Sequence, residues 1–275
     1  MSIFGMGTET YLYINGLVVE EEIILNDNTA LLPVSCNLPF DILSKSIKSD
    51  VVYSYAVLFA DSIGSQLKIT ATTSKELAII AWNSQWDIIL LNAILNCSAT
   101  WNLQCTDSID SITDESILSI TNHYVHRLGR EPYNINYDDV NWLKDNFKTA
   151  KLLMAEERFS TAVHSLASYN WHSLPRVQLA VLWMGIESLF EISSELVFRL
   201  SLCAAKFLEK DDDNKAREIY NEVKQLYKAR SSAVHGSKIK GDSSALVKDS
   251  ALLLNRLIKK CVEKNELPVI DKLLF

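Results

Sequence analysis

The stretch Ala216–Gly236, "AREIYNEVKQLYKARSSAVHG", decides how the second half of this chain is read. Ala216, Ile219, Tyr220, Val223, Leu226 and Tyr227 recur at steps of three and four, the apolar stripe of a helix packed on a core. The next positions on that stripe are Arg230 and then Val234, so Arg230 takes a core-facing slot. A guanidinium keeps its charge in a protein. It therefore needs a carboxylate, or a polar cleft holding an anion. His235 follows after four intervening residues, and Gly236 then ends the helix in a left-handed cap. At about 100° per residue, Arg230 and His235 point roughly 140° apart on a straight helix. At a helix C-terminus the dipole favours a protonated imidazole, while the nearby lysines oppose it. That balance suits proton exchange near neutral pH.

Working outward, helical patterns fill the rest of this half. "DDVNWLKDNFKTAKLLMAEE" opens on two aspartates and "RFSTAVHSLASYN" forms a second helix. Ser173 with Pro175 starts "SLPRVQLAVLWMGIESLFEISSELVFRLSLCAAKFLEK", which is too long for one core helix and breaks near Ile192–Ser194. Asp211, Asp212 and Asp213 read as an N-cap run rather than a metal patch. "SSALVKDSALLLNRLIKKCVEK" is the last long helix. The pattern predicts an all-α bundle of about five helices.

The front of the chain has a different texture. "YLYINGLVVEEEIIL" gives two strand-like runs around Asn15-Gly16, the pair that a tight hairpin favours. "VVYSYAVLFAD", "SQLKITATT", "ATWNLQC" and "SILSITNHYVHRL" read as further strands, and "SKELAIIAWNSQWDIILLNAIL" as a helix with Trp82 and Trp86 in its core face. "GREPYNINYDD" is the boundary loop. The expected organisation is an acidic α+β accessory or sensor domain over residues 1–130, followed by a helical bundle over 131–275. Charge supports the division. There are 5 Lys and Arg against 14 Asp and Glu up to Gly129, and 22 against 20 beyond it.

With 48% apolar and 22% charged residues, the 275-residue chain reads as an ordinary globular protein. No unbroken apolar run reaches the roughly 18 residues of a membrane span. The opening "MSIFGMGTETYLYING" shows no signal-peptide pattern, so the cytoplasm is the expected location and no membrane partner is expected. Five scattered cysteines without a CxxC call for neither a disulfide framework nor zinc. His123 and His126 form an HxxH, which lacks a neighbouring third ligand. No glycine-rich phosphate loop occurs, and no cofactor is expected. A net charge of −7 argues against broad coating of nucleic acid. Lys224, Lys228, Lys238 and Lys240 nonetheless surround Arg230 as a local basic site. Glu187 also falls on a mostly apolar face, in step with Trp183 and Phe190, and wants Arg199 or Arg230 as its cation.

Three blocks occur in order: Trp183/Gly185/Ile186/Glu187, "VFRLS" with Arg199, and "LYKARSSAVHG". Together, over roughly residues 138–262, they resemble the HEPN superfamily, and specifically its ApeA-like branch. The resemblance implies a bundle of four to five helices, often dimeric across the motif helix. It also implies a metal-independent endoribonuclease in toxin or anti-phage defence. Arg230 and His235 match the family's Arg-x4–6-His motif and take its catalytic roles. RNA supplies its own nucleophile, the 2′-hydroxyl, so a base must take that proton and an acid must protonate the leaving 5′-oxygen. Arginine holds the phosphate and its developing charge. Glu187 and Arg199 would support the site, and the four lysines would bind RNA. Ser231 stands where many active members carry Asn, Asp or His, and a hydroxyl can still donate or accept a hydrogen bond. The front domain, which carries no such resemblance, would bind a trigger or regulatory protein. The alternative is a noncatalytic HEPN module that binds nucleotide, RNA or a partner protein.

Overall fold

The structure is a computed structural model that describes residues 5–45, 47–122, 131–192 and 195–274. Contacts divide the chain into two units, one of residues 1–88 and 97–148 and the other of 89–96 and 149–275. The first is an α+β unit built on an antiparallel sheet and the second is helical.

The first unit opens with β1 (Glu9–Asn15), β2 (Leu17–Val18), β3 (Ile23–Asn26) and β4 (Thr29–Pro33). Two helices follow, α1 (Phe40–Leu43) and α2 (Asp50–Phe59), and then β5 (Ile63–Thr70). The helix α3 (Ser74–Leu95) leads to β6 (Thr100–Cys105), β7 (Leu118–Ile120), β8 (Tyr133–Asn134) and α4 (Tyr137–Leu153). Six strands form one sheet in the order β3-β4-β5-β1-β6-β7, with every neighbouring pair antiparallel. β1 is central, and alternation sends its side chains to two buried faces. Tyr11 and Tyr13 join Leu103, Cys105, Ala56 and Phe59 in one core, while Leu12 and Ile14 are fully buried on the other face.

Three expectations for this unit change. Asn15-Gly16 does not make a hairpin: β1 pairs with β5 and β6, and β2 pairs in parallel with β8. "VVYSYAVLFAD" is helical, not a strand. Ser49 caps α2 by accepting from the Val52 N–H at 3.5 Å. Burying Ala56 and Phe59 at a three-residue step outweighs the β-propensity of valine and tyrosine. Trp82 and Trp86 are not core: they are 59% and 49% exposed, because the early turns of α3 bury Leu77, Ala81 and Ser84 instead. By length and a mean hydropathy of 1.3, α3 could cross a membrane, and 61% of that window is buried within the protein. The expected boundary loop contributes β8, and Asn136 caps α4: its Oδ1 accepts from the Asp139 N–H at 3.0 Å, and Asp139 Oδ2 accepts back from the Asn136 N–H at 3.3 Å.

The helical unit comprises α5 (Glu157–Ser168), α6 (Pro175–Phe190), α7 (Leu196–Leu208), α8 (Asp213–Val234), α9 (Ser243–Lys264) and the short α10 (Ile270–Leu274). Pro175 stands at the first helical position of α6, where its missing N–H costs nothing. The expected break falls after Phe190, with Glu191 in the left-handed conformation. α6 is the central element, packing on α5, α8 and α9. Its fully buried Trp183 donates from Nε1 to Ser250 Oγ at 3.2 Å and meets the Tyr227 ring edge-on at 5.4 Å. Gly185 permits the close approach of α5, since a Cβ there would lie 2.7 Å from that of Ser165. Asn255 of α9 donates to the carbonyls of Ala93 and Ile94 at 2.7 and 2.8 Å, satisfying the last turn of α3.

Candidate functional site

The site is built on α8. Asp212 caps its start, accepting from the N–H groups of Asn214 and Lys215 at 3.0 and 3.1 Å. Val223, Leu226, Tyr227 and Ala229 are buried. The stripe then reaches Arg230, whose side chain is only 20% exposed. The following inward position is Ala233, at 3% exposure, and not the expected Val234, which is 49% exposed. Gly236 has φ +75°, and the His235 N–H donates to the Ser231 carbonyl at 3.0 Å, so the helix ends at the glycine as its sequence indicates.

Arg230 finds its carboxylate on α6. Nη2 donates to Glu187 Oε2 at 2.9 Å, and Nε lies 2.9 Å from Oε1. The second contact has ion-pair distance without hydrogen-bond alignment, leaving Nε and Oε1 buried and otherwise unbonded. The guanidinium also lies 5.4 Å from the centre of the Tyr227 ring. Glu187 thus occupies the Nε–Nη2 edge. Nη1 has no partner among the described residues, and is the corner from which a phosphate oxygen could be held.

His235 is exposed at the helix end, and no described side chain bonds its imidazole. Ser231 is half-buried. Arg199 is half-buried on α7, where burial pushes the Cys203 thiol up and Arg199 opposes that shift. Lys224, Lys228, Lys238 and Lys240 are all exposed, Lys224 lying 5.7 Å from the centre of the Tyr220 ring. The structure therefore brings Arg230 and Glu187 into contact and puts His235 and the lysines at the surface.

One residue at this end of α8 escaped the sequence reading. Arg176, second in α6, reaches across to α8: Nη1 donates to the carbonyls of Ser232 and Ala233 at 3.0 and 2.6 Å, and Nη2 to that of Ser237 at 2.9 Å. A signal was present. A cation in the first turn of a helix opposes the macrodipole, so an arginine directly after the N1 proline calls for a partner elsewhere.

Two hollows of the helical unit lie away from the motif. One of about 640 Å3 is lined by Lys215, Arg256 and Lys259 against Glu209, Glu218 and Glu222. The other, about 400 Å3, lies along Ser160, Thr161, His164, Ser165 and Ser168. His164 is half-buried, and that burial holds its imidazole below the ordinary value of 6.5. No group of three or more His, Cys, Asp or Glu suited to a metal occurs among the described residues, and His123 and His126 lie outside them. Compared with family models, curated proteins and solved structures, the chain matches none.

Proposed function

We propose that this chain is a metal-independent endoribonuclease of HEPN type, acting through the last turns of α8. The observation that carries the reading is the Arg230–Glu187 pair, with an Nη1 unpaired among the described residues, followed by an exposed His235 at the helix end. A half-buried, oriented arginine can hold a phosphate that arrives from solvent. An exposed imidazole can exchange protons with the 2′-hydroxyl and the leaving 5′-oxygen of RNA. An open surface site, with Lys224, Lys228, Lys238 and Lys240 exposed along the same helix and the segment after it, suits a long polyanion better than a small molecule, which would need enclosure. His235 exchanges the protons, Arg230 steadies the charge on the phosphate, Glu187 holds Arg230, and Ser231 and Arg199 support them.

In this reading the protein works in the cytoplasm as a homodimer through its helical unit, in toxin or anti-phage defence. The α+β unit binds the trigger or a regulatory protein. The test is RNA cleavage in EDTA with analysis of the product ends. The reading requires 2′,3′-cyclic phosphate and 5′-hydroxyl ends, with DNA left intact. Products carrying 5′-phosphates, or cleavage that needs an added metal, would refute it. A second reading has its own support: Glu187 already neutralises Arg230, and nothing among the described side chains orients His235. A noncatalytic module that binds nucleotide, RNA or a protein would be built in that way. Binding of RNA without cleavage selects it.

A further inference from the structure

The exposed His235 ring has no bonding partner among the described side chains, so its direction is set by the main chain that carries it. That main chain is held from both sides by one residue. Ser232 and Ala233 precede His235 in the final turn of α8, where carbonyls have no partner within the helix. Ser237 lies beyond Gly236, after the chain has left the helix. Arg176 donates to the carbonyls of all three. A glycine cap alone closes a helix with local bonds, and here the His235 N–H already donates to Ser231. The bond to Ser237 does more, because it fixes the direction in which the chain departs after the glycine. The guanidinium is planar and presents its donors in a fixed fork, so it sets direction in a way that a flexible ammonium does not. Its charge also complements the C-terminal end of the helix dipole.

We propose that Arg176 is the positioning residue for His235: it clamps the Ser232–Ser237 turn and so aims the imidazole, and with it the start of the segment that carries Lys238 and Lys240. This rests on the nuclease reading above for its consequence in catalysis. The clamp itself does not.

The test uses the full chain as wild type, Arg176→Ala and Arg176→Lys, with two readouts: amide hydrogen exchange across residues 233–238, and RNA cleavage resolved into kcat and KM. In Arg176→Ala the turn amides exchange at least about tenfold faster, as expected on losing hydrogen bonds from a charged donor. The kcat falls about 100-fold, the effect of misplacing a reacting group by an ångström, while KM holds. Arg176→Lys recovers part of both. Wild-type exchange at the turn, or a kcat that does not fall, overturns the proposal. A loss of activity confined to KM also overturns it, since that marks a phosphate contact. If Arg176→Ala does not fold, Arg176→Lys decides alone by the same two readouts. Exchange needs no cleavage. A wild-type chain that never cuts RNA therefore defeats the nuclease reading, while the exchange rates still uphold or overturn the clamp.

Discussion

Two arginine–glutamate pairs tie α8 to its neighbours, and they differ in kind. In the middle of the helix, Glu222 meets Arg256 of α9, a single Nη1 lying 3.1 and 2.9 Å from the two carboxylate oxygens. Their side chains are 34% and 41% exposed. Toward the end, Arg230 meets Glu187 with two different nitrogens, and the side chains are 20% and 26% exposed. The first pair bridges two helices at a wet surface, where exchange with water leaves little net gain. The second occupies a slot on the apolar stripe, where a leucine would serve stability as well or better. In the proposed reading, a charged pair is kept in such a slot so that the arginine can hold a phosphate, and not for stability.

The largest stability effect separating the two pairs is expected from Glu187→Ala. It leaves Arg230 partly buried without its counter-ion. A fully buried case would cost 3–5 kcal/mol, and the remaining exposure reduces this to about 2 kcal/mol. A shift of the urea midpoint measures it. Next comes Gly185→Ala, two residues before Glu187. Its Cβ would lie 2.7 Å from Ser165 Cβ and 3.0 Å from Leu254 Cδ2, so α6 must move, at a cost of about 1–2 kcal/mol. If the Arg230 pair depends on that seating, Gly185→Ala and Glu187→Ala will combine non-additively in a double-mutant cycle. Glu222→Ala should lower stability by no more than about 0.5 kcal/mol, an effect that fades in high salt. An equal loss for Glu187→Ala and Glu222→Ala would erase the distinction.

Acid titration sharpens the comparison from outside both pairs. Burial lowers the proton affinity of His164 in the folded chain below that of the unfolded chain. The unfolded state therefore binds the extra proton, and stability falls as pH drops through 6.5 before levelling below the folded value. His164→Gln should flatten that part of the profile in the wild-type and Glu187→Ala backgrounds alike. If only one background responds, the loss belongs to the ion pair.

The helical half was legible because one periodicity governs it. The sequence pattern of α9 matches the observed span residue for residue, and Pro175 marked the start of α6. The stripe placed Arg230 inward, where it needs a carboxylate or an anion, and left Glu187 with Arg199 or Arg230 as its cation; the structure pairs it with Arg230. The α+β half was harder. In α2 the valines and tyrosines spoke for a strand, and the three-residue step from Ala56 to Phe59 spoke for a helix. Neither Asn15 nor Gly16 announces that the strand beyond them will pair with residues 133–134. Arg176 stayed hidden because its place after the N1 proline calls for a partner without saying which, and its partners are main-chain carbonyls 56 to 61 residues away.

The central claim is that the end of α8, and not its middle, is the working part. It is tested most directly by measuring RNA cleavage in EDTA for wild type, His235→Ala and Glu222→Ala side by side. The account predicts that Glu222→Ala cuts as the wild type does, while His235→Ala loses at least about 100-fold, the contribution of a positioned acid or base. Equal cleavage by wild type and His235→Ala would contradict it.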